Sequence, residues 1–453
     1  MVPVLTPEEM ADVDAAAPEP VEELIARAGA AVTRHALDLM GGAYGRRVVV
    51  VAGKGNNGAD GRAAAERLRR RGVRVQVVDA AGAPERLPDA DLAIDAAYGT
   101  GFRGEYTPPD VGGTPVLAVD IPSGVDGVTG QVHGGALAAE RTVTFAALKP
   151  GLLFHPGRRL AGEVVLADIG LDVSGRGRAE LVEASDVAAW VPDRDAEAHK
   201  WRSAVVLAAG SPGMTGAAHL AARAAQRAGA GMVRVASPGV GHDPALPTEA
   251  VGIQVPAAGW DDAVLAQLDR VGALVVGPGL GRGAPAVTVV HHLVGAADVP
   301  VLVDGDGLWA LGDQVVDLVG RRTAPTVLTP HDGEYARLAG HPPGDDRLSA
   351  ARDLAAATGA IVLLKGPTTV VAQPDGRARL STAGDARLAT AGTGDVLSGI
   401  IGALLAQRVD AFAAAAAGAW LHGTAAELGP ERGLVASDVV ERLPDVLDIL
   451  EEA

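Results

Sequence analysis

The segment VVVVAGKGNNGADG, Val48–Gly61, decides the fold of the first half of the chain. Four valines lead into a turn with four glycines, two asparagines and an aspartate, and a helical pattern follows until Gly72. A strand, a glycine-rich turn and a helix form the repeating unit of doubly wound α/β sheets, which bind ligands at the carboxyl ends of their strands. The helix N-terminus suits a pyrophosphate, but the spacing is not G-x-G-x-x-G. The amides and Asp60 could instead bind a nucleotide or a hard cation, and a plain Asn-Gly chain reversal is the alternative.

The alternation of short apolar runs and helical segments continues in both directions. Thr6, Pro7 and Glu9 form a capping-box pattern, and two amphipathic helices are predicted before the first strand. Continuous apolar runs between helical segments are typical of a parallel sheet covered on both faces. The predicted strands of the first half lie in RRVVVVAG, VRVQVVDA, DLAIDAAYG, PVLAVDIPSG, RTVTFAAL and GEVVLADIG.

A polar stretch rich in glycine, proline and aspartate, residues 172–200, interrupts this rhythm, and the strand–turn–helix pattern restarts with SAVVLAAGSPGMTG. We therefore predict a linker in this stretch and a split near residue 195. The predicted domains are residues 1–190 and 196–453, in a chain whose length suits two or three domains.

Composition and charge exclude several classes of protein. The net charge is −17 and no basic stripe is present, which argues against nucleic acid as a partner. The absence of cysteine excludes disulfides, thiolate nucleophiles and cysteine-type zinc sites. The N-terminal MVPVLTPEEMADVDAAA lacks the pattern of a signal peptide. The longest apolar run, AFAAAAAGAWL, is far shorter than the roughly 20 residues that span a bilayer. We expect a cytoplasmic protein with no membrane partner.

Lysine is rare in this chain. Only four of the 39 basic side chains are lysines, namely Lys54, Lys149, Lys200 and Lys365. All four lie beside glycine-rich or loop-like segments. The lysine ammonium is a compact point charge, which the planar guanidinium of arginine cannot replace in a tight site. Four scattered residues without a shared role are the alternative.

Polar side chains follow several of the predicted strands. Asp95 ends one strand, and Asp120 and Ser123 follow the next. Because the carboxyl ends of parallel strands meet at one sheet edge, Asn57, Asp95 and Ser123 could converge on one ion. Their oxygen ligands suit an alkali or alkaline-earth cation rather than zinc. Asp120 could also be a simple turn residue.

These motifs together resemble a known family. GKGNNGADG, DAAYGTGF, VDIPSGVDG and TFAALKPG are similar to the NAD(P)H-hydrate epimerase domain. HKWRSAVVLAAGSPGMTGAA, VVGPGLG, TPHDGEYARL, KGPTTVV and ATAGTGDVLSG resemble the ADP/ATP-dependent NAD(P)H-hydrate dehydratase of the ribokinase-like superfamily. The resemblance implies an N-terminal Rossmann-like three-layer α/β domain followed by a C-terminal ribokinase-like α/β domain.

The resemblance also implies an activity and its small-molecule partners. Such an enzyme would interconvert the R and S hydrates of NADH and NADPH, and would dehydrate the S form at the expense of ADP or ATP. The implied cofactors are K⁺ and, with the nucleotide, Mg²⁺, and we expect a homo-oligomer.

For the first domain, the resemblance implies Asp120 and Lys149 as catalytic groups, and Asn57, Asp95 and Ser123 as potassium ligands. The implied hydrate-binding residues are Asn56, Asn57, Gly58, Ala59, Asp60, Gly99, Thr100, Gly101, Phe102, Arg103, Gly104, Glu105 and Asp120.

For the second domain, the resemblance implies Asp395 as the catalytic base, because the glycine turn before it could face a phosphoryl group. Ala217, Gly279, His331 and Asp395 match the positions that contact the hydrate. The implied nucleotide-binding residues are Lys365, Gly366, Pro367, Thr368, Thr369, Gly392, Thr393 and Gly394.

The sequence departs from the family pattern at a few positions. Ala59 and Ala391 stand where glycine is usual, Asp332 replaces a proline, and DGDGL at 304–308 replaces DADAL. The two added methyl groups would matter if φ is positive there.

Two other functions fit parts of the sequence. One is a ribokinase-like kinase of a vitamin precursor with an accessory nucleotide-binding domain, and the other is a non-catalytic NAD(P) sensor.

Overall fold

The structure, a computed structural model, describes residues 1–194 and 197–451. It divides into two compact units, residues 2–179 and residues 180–453 together with Met1. The predicted split near residue 195 and the predicted domain start at residue 196 lie outside the described residues. The domain ranges taken from the sequence remain a prediction.

The first unit is a parallel sheet between helices and loops. Its strands are β1 (Val2–Val4), β2 (Arg47–Ala52), β3 (Arg74–Asp79), β4 (Leu92–Ala96), β5 (Val116–Val119), β6 (Arg141–Phe145) and β7 (Glu163–Ala167). Its helices are α1 (Pro7–Ala16), α2 (Val21–Leu39), α3 (Asn56–Arg70) and α4 (Gly157–Ala161). Six strands pair in parallel in the order β3-β2-β4-β5-β6-β7.

Strand β2 shows why the sequence gives this sheet. Val48 and Val50 pack into the core under α2 and α3, whereas Val49 and Val51 pack into a second cluster with Tyr106. Because successive side chains point to opposite faces, a strand buried on both faces needs an unbroken apolar run. The predicted parallel sheet is confirmed, as is the capping box of Thr6 and Glu9 at α1.

The glycine-rich turn is tighter than the sequence suggested. Helix α3 begins at Asn56, inside the predicted turn, and Gly55 is its N-cap. A Cβ on Gly58 would lie 1.9 Å from the carbonyl oxygen of Gly53, so only glycine fits at this position. Ala59 lies within α3 and not in the left-handed region, and therefore its methyl group causes no backbone strain.

The second unit is a larger mixed sheet. Its strands are β8 (Ala179–Leu181), β9 (Ala204–Ala208), β10 (Met232–Ala236), β11 (Ala250–Ile253), β12 (Ala273–Val276), β13 (Val301–Val303), β14 (Thr326–Leu328), β15 (Ile361–Leu364), β16 (Thr369–Ala372) and β17 (Ala378–Ser381). Their order is β8-β17-β16-β15-β14-β13-β12-β9-β10-β11. The strands from β15 to β11 pair in parallel, and β15, β16 and β17 pair antiparallel.

Helices cover this sheet with a core made mainly of alanine, valine and leucine. They are α5 (Ala184–Trp190), α6 (Thr215–Arg227), α7 (Asp261–Leu265), α8 (Ala284–Ala296), α9 (Asp306–Leu311), α10 (Val315–Val319), α11 (Asp332–Ala339), α12 (Arg347–Thr358), α13 (Thr393–Ala406), α14 (Ala411–Glu427) and α15 (Ala436–Glu451). No helix in the described part of the chain combines the length and apolarity needed to cross a membrane.

The described residues of the stretch 172–200 contain more regular structure than the predicted linker. It contains β8 and α5, and α5 begins with a capping box between Glu183 and Asp186. Only Val187 of this short helix is fully buried. Because a single buried position produces almost no helical periodicity, the sequence pattern did not predict this helix.

Candidate active sites

A cavity of about 740 Å³ opens at the carboxyl edge of the first sheet. Helices α1 and α2 supply apolar walls, and polar groups enter from α3 and from the loops after β4, β5 and β6. The predicted site residues that line it are Asn56, Asn57, Asp60, Gly99, Thr100, Gly101, Phe102, Arg103, Asp120 and Lys149. Of the predicted hydrate-binding residues, Gly58, Ala59, Gly104 and Glu105 are not among the residues that line it.

Asp120 and Lys149 form an ion pair at the cavity wall. The Lys149 ammonium lies 2.6 Å from Asp120 Oδ1, and it also donates to Thr144 Oγ1 at 2.9 Å and to the Phe145 carbonyl at 3.0 Å. The Lys149 side chain is 3% exposed and that of Asp120 is 18% exposed, so the carboxylate is the more open partner. Asp120 has a φ of +66°, one of three positive values among the non-glycine residues described. Such strained backbone is common at functional sites.

Asp60 is a second carboxyl group in the same cavity. It is 8% exposed, and burial, followed by the charges of Asp120 and Asp14, raises its pKa to about 8. Asp60 is therefore mostly protonated at neutral pH and can donate a hydrogen bond. The sequence did not single out Asp14, which also lines the cavity. Its position one turn after the buried Met10 of α1 is the signal that could have found it.

Asn57, Asp95 and Ser123 are buried beside this cavity. Asp95 Oδ1 accepts from the Ser123 hydroxyl at 2.6 Å, and Oδ2 accepts from the Ser123 N–H at 2.9 Å. Burial raises the pKa of Asp95, and no cationic side chain in the described part of the chain pairs with it. Both side-chain amide atoms of Asn57 are buried without a hydrogen-bond partner. Because unsatisfied buried polar atoms are rare, this amide is poised to bind something else.

In the second unit, an ion pair between a buried aspartate and a half-buried lysine lies at the carboxyl ends of β13 and β15. The Lys365 ammonium is 2.8 Å from Asp304 Oδ1 and 3.6 Å from Glu334 Oε2. Burial opposes ionisation of Asp304, but the charge of Lys365 and its hydrogen bonds hold the pKa of that carboxyl below its usual range. Asp304 follows its strand directly, as Asp120 does, and this shared position could have identified it from the sequence.

Asp395 lies in the first turn of α13, after the glycine turn. Gly392 is the N-cap, with a φ of +92°, and no side chain caps this helix. The Asp395 carboxylate has no hydrogen-bond partner among the described residues, so a purely capping role has no support. Burial and the charge of Asp304 raise its pKa to about 7, against the opposing effect of Lys365. Ala391 is not in the left-handed region, so its methyl group causes no backbone strain.

The other predicted hydrate contacts are Ala217, Gly279 and His331. Neighbouring residues connect them to the site around Asp395. A Cβ on Gly279, whose φ is +62°, would lie 2.8 Å from Ala217 Cβ, so these two positions touch. The same turn donates through the Gly281 N–H to Asp306 Oδ2 at 2.8 Å, and the charge of Asp306 also raises the pKa of Asp395. His331 accepts from the Glu334 N–H as the N-cap of α11.

The departure at Asp332 has a structural counterpart. Asp332 Oδ1 is 2.9 Å from Arg347 Nη1, and Arg347 Nη2 donates to the Lys365 carbonyl at 2.7 Å. A Cβ on Gly366 would lie 2.8 Å from Arg347 Nη2. Arg347 therefore holds the start of the predicted nucleotide segment, Lys365–Thr369, in place, and no sequence pattern pointed to it.

Comparisons with known proteins cover both units. A family model described as NAD(P)H-hydrate dehydratase matches residues 205–446. A second, described as YjeF-related protein N-terminus, matches residues 21–90 and 79–151. A bifunctional NAD(P)H-hydrate repair enzyme of Mycobacterium leprae is 42% identical over an alignment of 415 positions, which covers 86% of this chain and 84% of that protein. One from Moorella thermoacetica is 36% identical over an alignment of 488 positions, which covers 93% of this chain and 90% of that protein.

A solved structure also resembles part of the chain. It is an ADP/ATP-dependent NAD(P)H-hydrate dehydratase from Bacillus subtilis co-crystallised with ATP and Mg²⁺, with a TM-score of 0.53 and 34% identity. The similarity covers 59% of this chain and 97% of that one.

Proposed function

The chain belongs to the bifunctional NAD(P)H-hydrate repair enzymes, and we propose from the geometry of its two sites which side chains carry each reaction. One activity interconverts the R and S hydrates of NADH and NADPH. The other dehydrates the S form to the reduced cofactor at the expense of ADP or ATP. The fold of both halves agrees with this assignment, and neither the vitamin-precursor kinase nor the NAD(P) sensor is favoured.

The epimerisation is assigned to Asp120 and Lys149. Carbon 6 of the hydrate is a hemiaminal carbon, so the ring nitrogen can expel the hydroxyl group as water when an acid protonates it. Lys149 donates that proton, and Asp120 accepts a proton from the water that adds to the other face. Transfer of this proton from Asp120 to Lys149 restores both groups, and their separation of 2.6 Å permits it directly. Asp60, with a pKa of about 8, donates a hydrogen bond to the bound hydrate.

Potassium is assigned to Asn57, Asp95 and Ser123. The unpartnered amide of Asn57 and the buried carboxylate of Asp95 fit a cation that both would contact. One carboxylate and two neutral side chains supply too little negative charge and too few oxygen ligands for a tight calcium site. A bound monovalent cation would neutralise Asp95 and fix the start of α3 beside the cavity.

The dehydration is assigned to the site around Asp395. The carboxylate takes the proton of the hydrate hydroxyl as that oxygen attacks the terminal phosphorus of the nucleotide. The bond from this phosphorus to the bridging oxygen breaks, and AMP or ADP leaves with the electron pair. The phosphate then leaves carbon 6 with the help of the ring nitrogen, and loss of a proton from carbon 5 restores the dihydropyridine.

The hydrate is held by Ala217, Gly279 and His331, and the nucleotide by the segment Lys365–Thr369 and the turn Gly392–Gly394. N–H groups of such a glycine turn stabilise charge on a transferred phosphoryl group. ADP is the proposed donor, with Mg²⁺ bound to its phosphates. A homo-oligomer is proposed as well, and size-exclusion chromatography with light scattering tests it.

The observation that carries this assignment is the Asp395 carboxyl, which has a pKa of about 7 and no protein partner among the described residues. The test mixes the protein with both epimers of NADH hydrate, with and without ADP, and follows the near-ultraviolet absorbance of NADH. Both activities together recover all of the NADH, but only with ADP. Recovery of the S half alone would remove the epimerase assignment. Accumulation of a phosphorylated hydrate would favour a kinase.

A further inference from the structure

We propose that Asp304 is a positioning residue of the dehydratase site, which holds the Lys365 ammonium beside the turn Gly392–Asp395, where Lys365 meets the phosphoryl group in transfer. This inference rests on the proposed function of Asp395. It adds a role for an aspartate that touches neither the nucleotide nor the hydrate.

Asp304 is fixed by three side chains, two that directly follow β14 and β15 and one on α13. Its Oδ1 accepts from Lys365 Nζ at 2.8 Å and from Thr329 Oγ1 at 2.7 Å, and its Oδ2 accepts from Ser398 Oγ at 2.9 Å. The residue is 3% exposed. Both carboxylate oxygens are thus engaged by the protein, and Asp304 has little capacity left to bind a substrate itself. Its geometry suits holding a neighbour in place.

Lys365 is held on one side and open on another. Asp304 and Glu334 fix the ammonium, yet the Lys365 side chain is 22% exposed. A Cβ on Gly394 would lie 3.7 Å from both Lys365 Nζ and Asp304 Oδ2. The ion pair therefore lies against the backbone of the glycine turn. A fixed positive charge at this place would stabilise the charge that develops on the phosphoryl oxygens.

The ion pair also acts on the base. Burial and then the charge of Asp304 raise the pKa of Asp395 to about 7, and the charge of Lys365 opposes this rise. The other charged groups that face this region are Asp306 on α9 and Glu334 on α11. His422 of α14 adds no charge, because burial lowers its pKa to about 4.

A purely structural role for the pair is the competing explanation, since it also joins the ends of β13 and β15. Buried ion pairs are weak stabilisers, and replacing both partners with neutral groups is often harmless to folding. This property separates the two explanations, because only the proposed role requires the charges for turnover.

The test compares variants of the full-length chain with S-NADH hydrate, ADP and Mg²⁺. Asp304→Asn keeps the shape but removes the charge that fixes Lys365. We expect kcat to fall on the order of 10²-fold, as for the loss of one oriented charge-stabilising group. The KM for ADP should change by less than about threefold, because the lost interaction acts in the transition state. The acid limb of the pH profile should move to lower pH, since a negative neighbour of Asp395 is removed.

Thr329→Val is the matched control, because it removes one hydrogen bond to Asp304 and keeps both charges. It should lower kcat by less than about tenfold and leave the pH profile in place. Asp304→Asn combined with Lys365→Met leaves no unpaired buried charge from this pair, so it should fold even if the single variant does not, and it should lack dehydration. Thermal unfolding of each variant, followed by circular dichroism and compared with the wild type, reports whether the second unit is folded, since epimerisation tests only the first unit.

Near-normal kcat in Asp304→Asn with an unchanged pH profile, or an active double variant, would overturn the positioning role. If wild-type protein fails to dehydrate the S-hydrate with ADP, the proposed function itself is wrong. The two failures are therefore distinguishable.

Discussion

The substitution Asp120→Asn tests the epimerase site most directly. Asp120 lies in the left-handed region, with a φ of +66°. Asparagine tolerates this conformation better than most residues, so the backbone should not change. The substitution removes the negative charge 2.6 Å from the Lys149 ammonium. Lys149 keeps two neutral partners, Thr144 Oγ1 and the Phe145 carbonyl.

This geometry predicts the size of two effects, the loss of stability and the loss of epimerisation rate. Lys149 is 2% exposed, and leaving a buried charge without its partner typically costs about 3–5 kcal/mol. Because two hydrogen bonds remain and Asp120 itself is partly open to the cavity, we expect a loss near the lower end, roughly 3 kcal/mol. Loss of a general acid–base group commonly lowers the rate by about 10²–10⁴-fold, and epimerisation should fall in this range.

The assay uses both epimers of NADH hydrate with ADP. Asp120→Asn should convert the S half to NADH at the normal rate and leave the R half, whereas the wild type should consume both. Chromatographic separation of the epimers without ADP measures the epimerase alone, and urea unfolding measures the stability. Lys149→Met is the control for stability, since it leaves Asp120 bonded to Thr144 and open to water. Rapid consumption of the R half by Asp120→Asn would refute the reasoning.

Three further predictions concern the base, the ion and the two halves. Dehydration should rise about tenfold between roughly pH 6 and pH 8, because a carboxyl with a pKa of about 7 must lose its proton before it can act as a base. Asp395→Asn should lower dehydration by about 10²–10⁴-fold and remove its pH dependence, with epimerisation unchanged. A wild-type dehydration rate that does not change with pH would contradict the role of Asp395. Epimerisation should be faster in potassium than in sodium or lithium salts, and Asp95→Ala should abolish the preference; equal wild-type rates in all three salts would exclude the site. Residues 1–190 should epimerise and residues 196–453 should dehydrate when expressed alone, and folded but inactive fragments would show that each activity needs the whole chain.

The sequence predicted the parts of the fold that depend on local pattern. The run Val48–Val51 and its glycine turn identify a buried strand and a helix start, because apolar continuity and glycine have direct local causes. Asp95, Asp120 and Ser123 were predicted as site residues for the same reason, since each stands at or just after the end of a strand.

The sequence could not predict the interactions between residues that are far apart along the chain. Asp304 and Lys365 are 61 positions apart, and no periodicity relates them. Arg347 braces Lys365 through a hydrogen bond to a carbonyl oxygen, an interaction with no signature in residue type. The helix α5 was missed because it buries only Val187.

Both sites use lysine in a chain that otherwise prefers arginine. Lys149 and Lys365 pair with Asp120 and Asp304, each of which directly follows a strand, whereas Lys54 and Lys200 are exposed. A guanidinium presents five N–H donors in a rigid plane, and all of them would need partners in so closed a site. An ammonium needs fewer partners: Lys149 is held by one carboxylate and two neutral oxygens, and Lys365 by two carboxylates. It can also give up a proton.

The two pairs differ in how far their aspartates are satisfied. Asp304 is bound by three side chains and 3% exposed, so it fixes the position of its lysine. The Asp120 side chain remains 18% exposed towards the cavity, so it can exchange a proton with a ligand. The same pair of residue types thus supplies a proton relay in one unit and an oriented charge in the other, and the number of donors on the aspartate distinguishes them.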